Sequence, residues 1–531
     1  MNLLYDPWIP VRSDGGTGEF RQITYEELLC QEGSWQISLP RDDLEMACLQ
    51  LLISLTQVLF LPFDYKILRR RLDTPLGKGE FSAGLAQVES RWFDLSDPTT
   101  PFMQIREVNA DEATPIQKLL VGMPEGNNHS FFNEVGEVRH LSAACTAIAL
   151  FNQAVNSPSF GGGFKGGLRG GAPVTTLVLG ESLRDSIWRN VITLDRVKSR
   201  IGNNYNYDLS KDKPTWVQHI SRKETIYTSD IGLLRGLFWQ PAHVELTPPK
   251  YNSMCDLLDV PSKIIYEGFK KEKFPYDLVG VWPHPHGVMV TTIKETKSKG
   301  KKVDQKFISF VYSAPAWTQL TEFTVPRSTE KTSKDKETKT TESTMPAESV
   351  LQHSELLPAS WFHMLVGGYL TNKASILQRR HDLVSIAQGW DGDKGRLKQL
   401  VDLGLEAKES LRKKLYIAVT GDKKRGLKGI GSDIQKKGVK LFFVFTEGML
   451  HEILQDQMTF RDFKTAREQW LKSLESICMD IFKSLTDPYT MKPELIPIIV
   501  FAKRLLSNEL ITLKDGGAQN GGKPRKKQKK S

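Results

Sequence analysis

The sequence predicts an α+β fold: a large, mixed α/β N-terminal domain followed by a C-terminal bundle of helices. A chain of 531 residues is too long for one ordinary hydrophobic core, which predicts two to four domains of roughly 100–200 residues each. Up to about residue 370, short runs with strand or helix periodicity alternate with loops, whereas long amphipathic helices follow one another after about residue 374. With 39% hydrophobic and 25% charged residues, the composition is typical of a globular protein.

The first strong element of the N-terminal domain is an apolar helix that begins after Asp42 and Asp43. Its run from Leu44 to Leu61 is interrupted by Glu45 and Gln50, so we interpret it as a buried helix and not as a membrane span. Further elements predicted from periodicity are a helix over 144–155 and strands over 173–179 and 288–293, the last followed by a basic turn over 294–302.

The segment Ser328–Glu348 contains almost no apolar residues, so it cannot bury enough surface to offset the entropy of ordering it. We therefore predict a mobile loop over 328–348.

The C-terminal region is dominated by two apolar stripes at helical spacing. One comprises Phe463, Ala466, Trp470, Leu474, Ile477, Ile481 and Leu485, and the other Leu397, Leu400, Ala407, Leu411 and Leu415. Further helices are predicted over 374–388, 432–455 and 494–513, which together indicate a helical bundle. The predicted organisation is a domain over 1–377, a bundle over 378–515 and a flexible basic tail over 516–531.

Charge and cysteine usage restrict the class of protein. The net charge is +10, but six basic residues lie within the last nine, and removing them leaves +4, which is only a weak nucleic-acid signal. Five scattered cysteines without a CxxC pair indicate a reducing compartment, and the first residues lack the features of a signal peptide. We therefore expect a cytoplasmic protein.

The segment SFGGGFKGGLRGGAP, at residues 159–173, is the strongest local anomaly, with seven glycines between Gly161 and Gly171. Glycine allows a backbone to approach a ligand closely, and Lys165 and Arg169 could neutralise phosphates. Although GxGxxG occurs here, a helix precedes the segment and a strand follows it, which is the wrong context for a dinucleotide site. The alternative is a flexible connection.

Two other motifs invite a functional interpretation. The run FKKEKF, which contains Lys273, is either a basic and aromatic patch for a nucleic-acid backbone or a solvated face with buried aromatics. His381 and Asp382 form a dipeptide found in metal-dependent phosphohydrolases, so a nuclease that uses them stays an alternative. The histidines of WPHPH, at residues 282–286, are interpreted as structural, and no convincing catalytic group or metal site stands out.

Several segments resemble the CasA family, the large subunit of the type I-E CRISPR surveillance complex Cascade. They are MNLLYDPWIPV, SLPRDDLE, PFMQ, CTAIALFNQA, FGGGFKGGLRGG, RGLFWQPAH, GVWPHPH, SAPAWTQ and NKASILQRRHD. The resemblance implies an α+β N-terminal domain, a C-terminal four-helix bundle and no catalytic centre. It also implies recognition of the protospacer-adjacent motif in double-stranded DNA from the minor groove, help in opening the duplex for R-loop formation, and recruitment of a helicase–nuclease in antiviral defence.

The partners implied by the resemblance are target DNA, the 5′ handle of the guide RNA, and the backbone, small and guide-processing subunits of the complex. A purely structural subunit that never reads DNA is the second alternative.

The resemblance also implies site residues. The DNA motif would be contacted by Gly161, Gly162 and Gly163, with Gly162 against the base pairs, and by a lysine finger at Lys273. The loop that contacts the guide handle and DNA would begin at Phe131, Phe132 and Asn133. Lys294 matches a position associated with the displaced strand, and Lys165 and Arg169 would add charge against the DNA backbone.

The duplex wedge falls on Asn372 and Lys373, where relatives have Asn-Gln. Lysine can still insert and adds a phosphate-seeking charge, but it loses the paired donor and acceptor of the amide. Some relatives have four cysteines suggestive of zinc. Here Cys145 and Cys255 fall near two of those places and Ser142 at a third, so no metal and no other cofactor is expected.

Overall fold

The computed structural model describes residues 1–124, 136–202, 207–296, 300–310, 314–333, 338–372 and 375–514. The chain divides into two compact units. The first comprises residues 1–316, 322–358 and 362–384, and the second comprises 317–321, 359–361 and 385–531. Strands and helices mix in the first unit and helices fill the second, so the predicted α+β class with a C-terminal helical bundle is confirmed.

The helices of the first unit are α1 (Tyr25–Cys30), α2 (Asp42–Leu59), α3 (Tyr65–Asp73), α4 (Lys78–Leu85), α5 (Ala143–Val155), α6 (Leu183–Asn190), α7 (Leu194–Ile201), α8 (Leu233–Leu237), α9 (Leu320–Thr324, which runs on from the second unit) and α10 (Glu348–Leu356). The predicted helices that begin near Asp42 and Ala144 are thus confirmed as α2 and α5. The Ser142 hydroxyl caps α5 by accepting a hydrogen bond from the Cys145 amide, which explains where that helix begins.

The strands are β1 (Ile9–Arg12), β2 (Phe20–Ile23), β3 (Gln36–Ile37), β4 (Thr114–Pro115), β5 (Leu141–Ser142), β6 (Thr175–Leu179), β7 (Thr225–Tyr227), β8 (His243–Leu246), β9 (Lys250–Cys255), β10 (Val260–Tyr266), β11 (Gly268–Glu272), β12 (Asp277–Val279), β13 (Met289–Thr296), β14 (Gly300–Phe307), β15 (Arg327–Thr332), β16 (Thr338–Met345), β17 (Phe362–Asn372) and β18 (Ser375–Ile386). They form small sheets, ordered β2-β1-β3, β5-β10-β9, β4-β11-β8, β12-β7, β14-β13-β16-β15 and β18-β17-β6. The strands predicted over 173–179 and 288–293 are confirmed as β6 and β13.

A continuous apolar core holds the first unit together around α2 and α5, in which almost every side chain is buried. Burial on all sides explains why α2 is apolar throughout without being a membrane helix. Among the described residues, no helix combines the length and hydropathy that crossing a membrane would need.

The prediction of a mobile loop over 328–348 is wrong, because β15 and β16 occupy most of it and α10 begins at Glu348. Hydrogen bonds between strands order this segment, not apolar burial: β16 pairs antiparallel with both β13 and β15. Its many threonines are β-branched and favour extended backbone. The predicted basic turn over 294–302 is likewise mostly strand, since β13 continues to Thr296 and β14 starts at Gly300.

The helix predicted over 374–388 is also wrong, because β18 runs from Ser375 to Ile386 next to β17. The inward-facing group near the middle of this strand is Arg380, which is buried against the Phe310 ring at 4.7 Å and donates to the Ala314 carbonyl at 2.7 Å. Because arginine is not apolar, it interrupts the alternation of apolar and polar residues that would predict a strand here. The sequence pattern is therefore ambiguous between helix and strand.

Four long helices form the second unit: α11 (Lys394–Thr420), α12 (Gln435–Gln455), α13 (Phe463–Thr486) and α14 (Ile496–Lys514). The Trp470 indole donates to the Leu400 carbonyl at 2.9 Å, so the starts of α11 and α13 lie together. The Arg467 guanidinium, near the start of α13, donates to the Leu513 carbonyl, near the end of α14. These contacts give an up-down-up-down bundle, and both predicted apolar stripes face its core.

Candidate nucleic-acid interface

The glycine-rich loop connects the end of α5 to β6 and exposes its backbone. Gly161 and Gly163 have φ values of +117° and +85°, a conformation that favours glycine because a side chain would be strained there. A methyl group placed on Gly161 or Gly162 would meet no atom within 4 Å. The backbone at these positions is therefore open to a close approach by another molecule.

Phe160 fixes the loop against the neighbouring sheet. Its ring centroid lies 5.7 Å from that of Phe269 on β11 and 5.6 Å from that of Phe164 within the loop. The Lys271 ammonium, also on β11, lies 5.5 Å from the Phe160 ring centroid. Phe269, the first aromatic residue of FKKEKF, thus anchors the loop, and β11 ends at Glu272.

Lys273 follows β11 directly and lies against the glycine loop. A methyl group at Gly163 would lie 3.2 Å from the Lys273 Cδ and 3.3 Å from its Nζ. The Lys273 side chain is exposed, and so are Gly162 and Gly163. The structure therefore brings together the two elements that the resemblance implies for motif contact.

Arg169 is buried, although the sequence predicts that it contacts the DNA backbone. Only 4% of the residue is exposed, and its guanidinium donates to the Asn156 Oδ1 at 2.7 Å, the Thr175 Oγ1 at 2.9 Å and the Val155 carbonyl at 3.3 Å. Burial lowers the pKa of Arg169 to about 9. A contact with a DNA backbone is incompatible with this burial; Arg169 instead ties the far end of the glycine loop to α5 and β6.

Lys165 is exposed and partly engaged. Its ammonium lies 3.8 Å from an Asp277 carboxylate oxygen and 5.5 Å from the centroid of the Tyr276 ring. Exposed ion pairs of this kind contribute little and exchange readily for another anion. A supporting contact to a phosphate thus stays a prediction for Lys165.

A buried polar chain runs from the base of the glycine loop to β17. The Asn156 amide, which accepts from Arg169, donates to the Asn152 Oδ1 at 3.2 Å, and the Asn152 amide donates to the Tyr369 hydroxyl at 2.7 Å. That hydroxyl in turn donates to Asp43 at 2.9 Å. Burial, reinforced by the Asp43 carboxylate, raises the pKa of Tyr369 well above its usual value, so the hydroxyl keeps its proton.

Asp43 is the acidic end of this chain and is itself almost fully buried. Arg41 donates to it through Nε at 3.0 Å and Nη2 at 2.8 Å, and the Arg379 Nη1 of β18 lies 3.4 Å away. The hairpin of β17 and β18 and the glycine loop are therefore joined through one continuous set of hydrogen bonds. Sequence reasoning treated Asp43 only as a helix start.

The predicted wedge falls between β17 and β18, which are neighbours in one sheet. Asn372 is the last residue of β17 and is exposed. Lys373 lies outside the described residues, as do Phe131, Phe132 and Asn133 of the predicted handle-contacting loop. Those assignments remain predictions.

Lys294 lies on an exposed sheet among other cations. On β13 it is directly opposite Lys302 of β14, and it faces Thr340 of β16, which is in turn opposite Lys331 of β15. The three lysines are exposed and share one face, with Asp304 and Glu342 one step further along it. Like charges directly opposite each other in a sheet are destabilising, so this row favours an anionic partner.

Sequence reasoning missed Lys302 and Lys331. The alternation of Lys302, Asp304 and Lys306 is a period-two signal that could have placed β14 and its lysine face.

The alternative nuclease site is not assembled. His381 and Asp382 are consecutive residues of β18, so their side chains point to opposite faces of the sheet. Asp382 is paired with Arg380, at 3.0 Å from its Nε. In the part of the chain that the structure describes, no three His, Cys, Asp or Glu side chains are grouped as metal ligands.

Cys145, Cys255 and the two histidines of WPHPH are buried. Cys255 accepts a hydrogen bond from the Ser142 amide at 3.3 Å, and the hydrogen bond from the Cys145 thiol lowers the pKa of Cys255 to about 5. His286 is fully buried, and burial together with the nearby Arg169 charge lowers its pKa to about 3. His284 has its pKa lowered for the same two reasons.

Comparison with known proteins gives consistent matches along the chain. The family model of CRISPR-associated protein Cse1 matches residues 2–481. The chain is similar to the Cse1 structure from Thermobifida fusca, with a TM-score of 0.69 and 17% identity over 98% of this chain and 99% of that one. It is also similar to Cse1 from Acidimicrobium ferrooxidans, with a TM-score of 0.69 and 15% identity over 97% and 98%.

A chain of a structure described as a CRISPR RNA-guided surveillance complex matches with a TM-score of 0.62 and 15% identity, over 95% of this chain and 99% of that one. At these identities the structural matches establish the fold.

Proposed function

Because this chain belongs to the CRISPR-associated protein Cse1 family, the CasA family of the sequence resemblance, we propose that it acts in Cascade as the subunit that recognises the protospacer-adjacent motif in duplex DNA. In this proposal it contacts the motif from the minor groove, helps to open the duplex for pairing with the guide RNA, and has no catalytic centre. It works in the cytoplasm with the other Cascade subunits and the guide handle.

The position of Lys273 against Gly163, beside the open backbone of Gly162, is the observation that carries the proposal. The minor groove is only about 6 Å wide, and a backbone without side chains and a long flexible cation are both suited to reach its floor. Because the hydrogen-bond pattern there is degenerate, such a pair discriminates only partly between base pairs. We therefore expect a permissive motif.

The hairpin of β17 and β18 is suited to act as the wedge. Asn372 is exposed at the end of β17, while Tyr369 of β17 and Arg379 of β18 root the two strands in the buried chain that ends at Asp43. A rigid root allows the end of the hairpin to press between base pairs without yielding, which is the geometry of insertion at a kinked step.

In this proposal Lys294 attracts the displaced strand. The row that it forms with Lys302 and Lys331 presents three ammonium groups on one sheet face. Lysines bind phosphate as point charges without reading sequence, so this row would add affinity but not specificity. Recruitment of the helicase–nuclease would follow once the R-loop has formed.

Binding of the assembled complex to three duplexes tests the proposal. One contains target and motif, one contains the target with a scrambled motif, and one contains neither. We expect motif-dependent binding and strand opening, read by permanganate reactivity of the displaced strand. Equal binding to the first two duplexes would leave the purely structural subunit as the function of this chain.

The nuclease alternative is tested in separate reactions with the purified chain. Purified chain with duplex or single-stranded DNA and Mg²⁺ or Mn²⁺ is expected to leave the DNA intact. Cleavage that is lost in His381→Ala and in Asp382→Ala would overturn the non-catalytic assignment.

A further inference from the structure

The end of the helical bundle formed by the α11–α12 connection is strongly basic. Seven cations and two carboxylates lie between residues 421 and 440. The carboxylates are both engaged: Asp422 pairs with Arg425 at 2.6 Å and Asp433 with Lys436 at 3.0 Å. Five lysines, here called the bundle-end lysines, have no ion pair within the described residues and are exposed: Lys423, Lys424, Lys428, Lys437 and Lys440.

The connection is an ordered loop. The Ile430 amide donates to the Ala418 carbonyl at 2.9 Å, and the Gly431 amide donates to the Val419 carbonyl at 3.0 Å, so the chain folds back on the end of α11. The Asp422 carboxylate accepts hydrogen bonds from two amides of the turn that follows it.

Arg425 anchors the connection to the opposite helix. Its guanidinium carbon lies 4.4 Å from the Phe501 ring centroid on α14. A loop fixed at both its base and its middle presents its lysines without a further reduction of backbone entropy on binding.

The exposed surface of this segment indicates what it binds. Between residues 421 and 440, all of which the structure describes, no large hydrophobic side chain is exposed; the nearest exposed ones along the chain are Tyr416 on α11 and Val444 on α12. Protein interfaces concentrate aromatic residues and are depleted of lysine at their centres. Single-stranded nucleic acids are held largely by stacking of bases on aromatic side chains. A surface of lysines alone fits the phosphates of a duplex.

Placement on the helix supports an anionic partner as well. The first turn of α12 contains no acidic residue, and its Lys436 and Lys437 lie near the end where the helix dipole disfavours cations. A patch of like charges is costly until an anion neutralises it.

We propose that the bundle-end lysines form a second, sequence-independent contact with the phosphate backbone of duplex DNA. This site is separate from the glycine loop, and it rests on the proposed function only in taking duplex DNA as the partner. It adds affinity for any duplex and contributes nothing to choice of the motif.

The test compares the wild-type full chain with three variants, each of which carries three substitutions. Lys423→Ala/Lys424→Ala/Lys428→Ala removes three of the bundle-end lysines. Lys423→Arg/Lys424→Arg/Lys428→Arg keeps their charge. Arg461→Ala/Lys464→Ala/Lys472→Ala removes three exposed cations toward the opposite end of the bundle, where α13 begins. Fluorescence anisotropy measures affinity for motif-containing and motif-free duplexes from 50 to 200 mM salt.

For the bundle-end alanine variant we expect weaker binding to both duplexes by the same factor. The slope of log affinity against log salt should become shallower by about 0.9 for each phosphate that the variant no longer neutralises, about 2.7 for three. The arginine and opposite-end variants should keep the wild-type slope. An unchanged slope in the bundle-end variant, or an equal change in the opposite-end variant, overturns the proposal.

Two further results separate this inference from the proposed function. If Lys273→Ala lowers motif binding while the bundle-end variant does not, the motif assignment stands and the second contact fails. If the bundle-end variant weakens binding but the wild type shows no motif preference, the reverse holds. Weaker binding to single-stranded RNA with unchanged binding to duplex DNA would reassign the lysines to RNA.

Discussion

The Lys273 side chain lies along the glycine loop so closely that a methyl group on Gly163 would be 3.2 Å from its Cδ. The loop and the lysine come from different parts of the chain, and the Phe160 contact with Phe269 brings them together. This relationship couples the shape of the loop to the direction of the lysine, and it yields the first two predictions.

Replacing Lys273 with alanine should reduce the affinity of the assembled complex for motif-containing duplex by more than tenfold. A hydrogen bond from a charged donor contributes about 1.5–3 kcal/mol, and 1.4 kcal/mol is about a factor of ten. The measurement is binding at fixed salt, with Lys250→Ala as control because that lysine is paired with Glu267 at 2.7 Å. Unchanged motif affinity in Lys273→Ala would contradict the assignment of the lysine finger.

Gly162 and Gly163 should respond differently to substitution. Space around Gly162 is open, so Gly162→Ala and Gly162→Asp should leave the melting temperature of the chain unchanged, while the aspartate variant loses DNA binding through bulk and repulsion. Gly163 has φ +85° and borders Lys273, so Gly163→Ala should cost roughly 1–2 kcal/mol in stability. Normal motif binding by Gly162→Asp would remove the loop from the interface.

The buried chain from Asn156 to Asp43 should be energetically coupled. Asn152→Ala removes the donor to the Tyr369 hydroxyl, which still donates to Asp43, and leaves the Asn156 amide without its acceptor. An unpaired buried polar group costs about 1–3 kcal/mol. A double-mutant cycle of Asn152→Ala and Tyr369→Phe, measured by urea unfolding, should give a coupling energy of about 0.5–3 kcal/mol. Additive effects would show that the two side chains act independently.

Stability should fall as the pH is lowered below about 6.5. Burial lowers the pKa of His286 and of His353 to about 3, whereas the same groups titrate at about 6.5 in the unfolded chain. The unfolded state therefore binds more protons between those limits, which favours unfolding as pH falls; the stability is fully present above about pH 6.5. In that range each histidine contributes a loss of roughly 1.4 kcal/mol of folding stability for each unit by which the pH falls.

Melting temperatures from pH 4 to 8 test this slope, and His353→Gln should make it shallower. The matched control is His381→Gln, because His381 is only partly buried. An equal change of slope in both variants would argue against burial as the cause.

How far the fold follows from sequence depends on whether apolar periodicity or distant pairing creates an element. The stripe from Phe463 to Leu485 predicts α13 because its side chains fill the bundle core. Strand β18 was not predicted in this way, since the buried residue near its middle is Arg380, stabilised by Asp382 and Phe310, and its buried apolar residues Val384 and Ile386 come only at its end. Strands β15 and β16 depend on pairing with β13, which local composition cannot reveal.

The candidate site shows the same division. The motif resemblance predicts that the glycine loop and Lys273 lie together, and they do; their contact with DNA stays a prediction. The burial of Arg169 could not be predicted, because whether an arginine reaches solvent or turns inward depends on polar partners, here Asn156 and Thr175, that only folding brings near. The glycines and basic residues of the loop predicted its exposed backbone correctly. They also predicted an exposed cation at Arg169, which is buried.

The exposed sheet of β13 to β16 has a consequence for protein engineering. Its outermost strands, β14 and β15, each leave one edge unpaired within the sheet, and such edges can template aggregation. On β14, Lys301, Lys302 and Lys306 supply the repulsion that keeps two copies from joining edge to edge. Removing these charges to weaken the proposed DNA binding would also leave the edge strand free to pair with a second copy, so the same variant should self-associate more strongly.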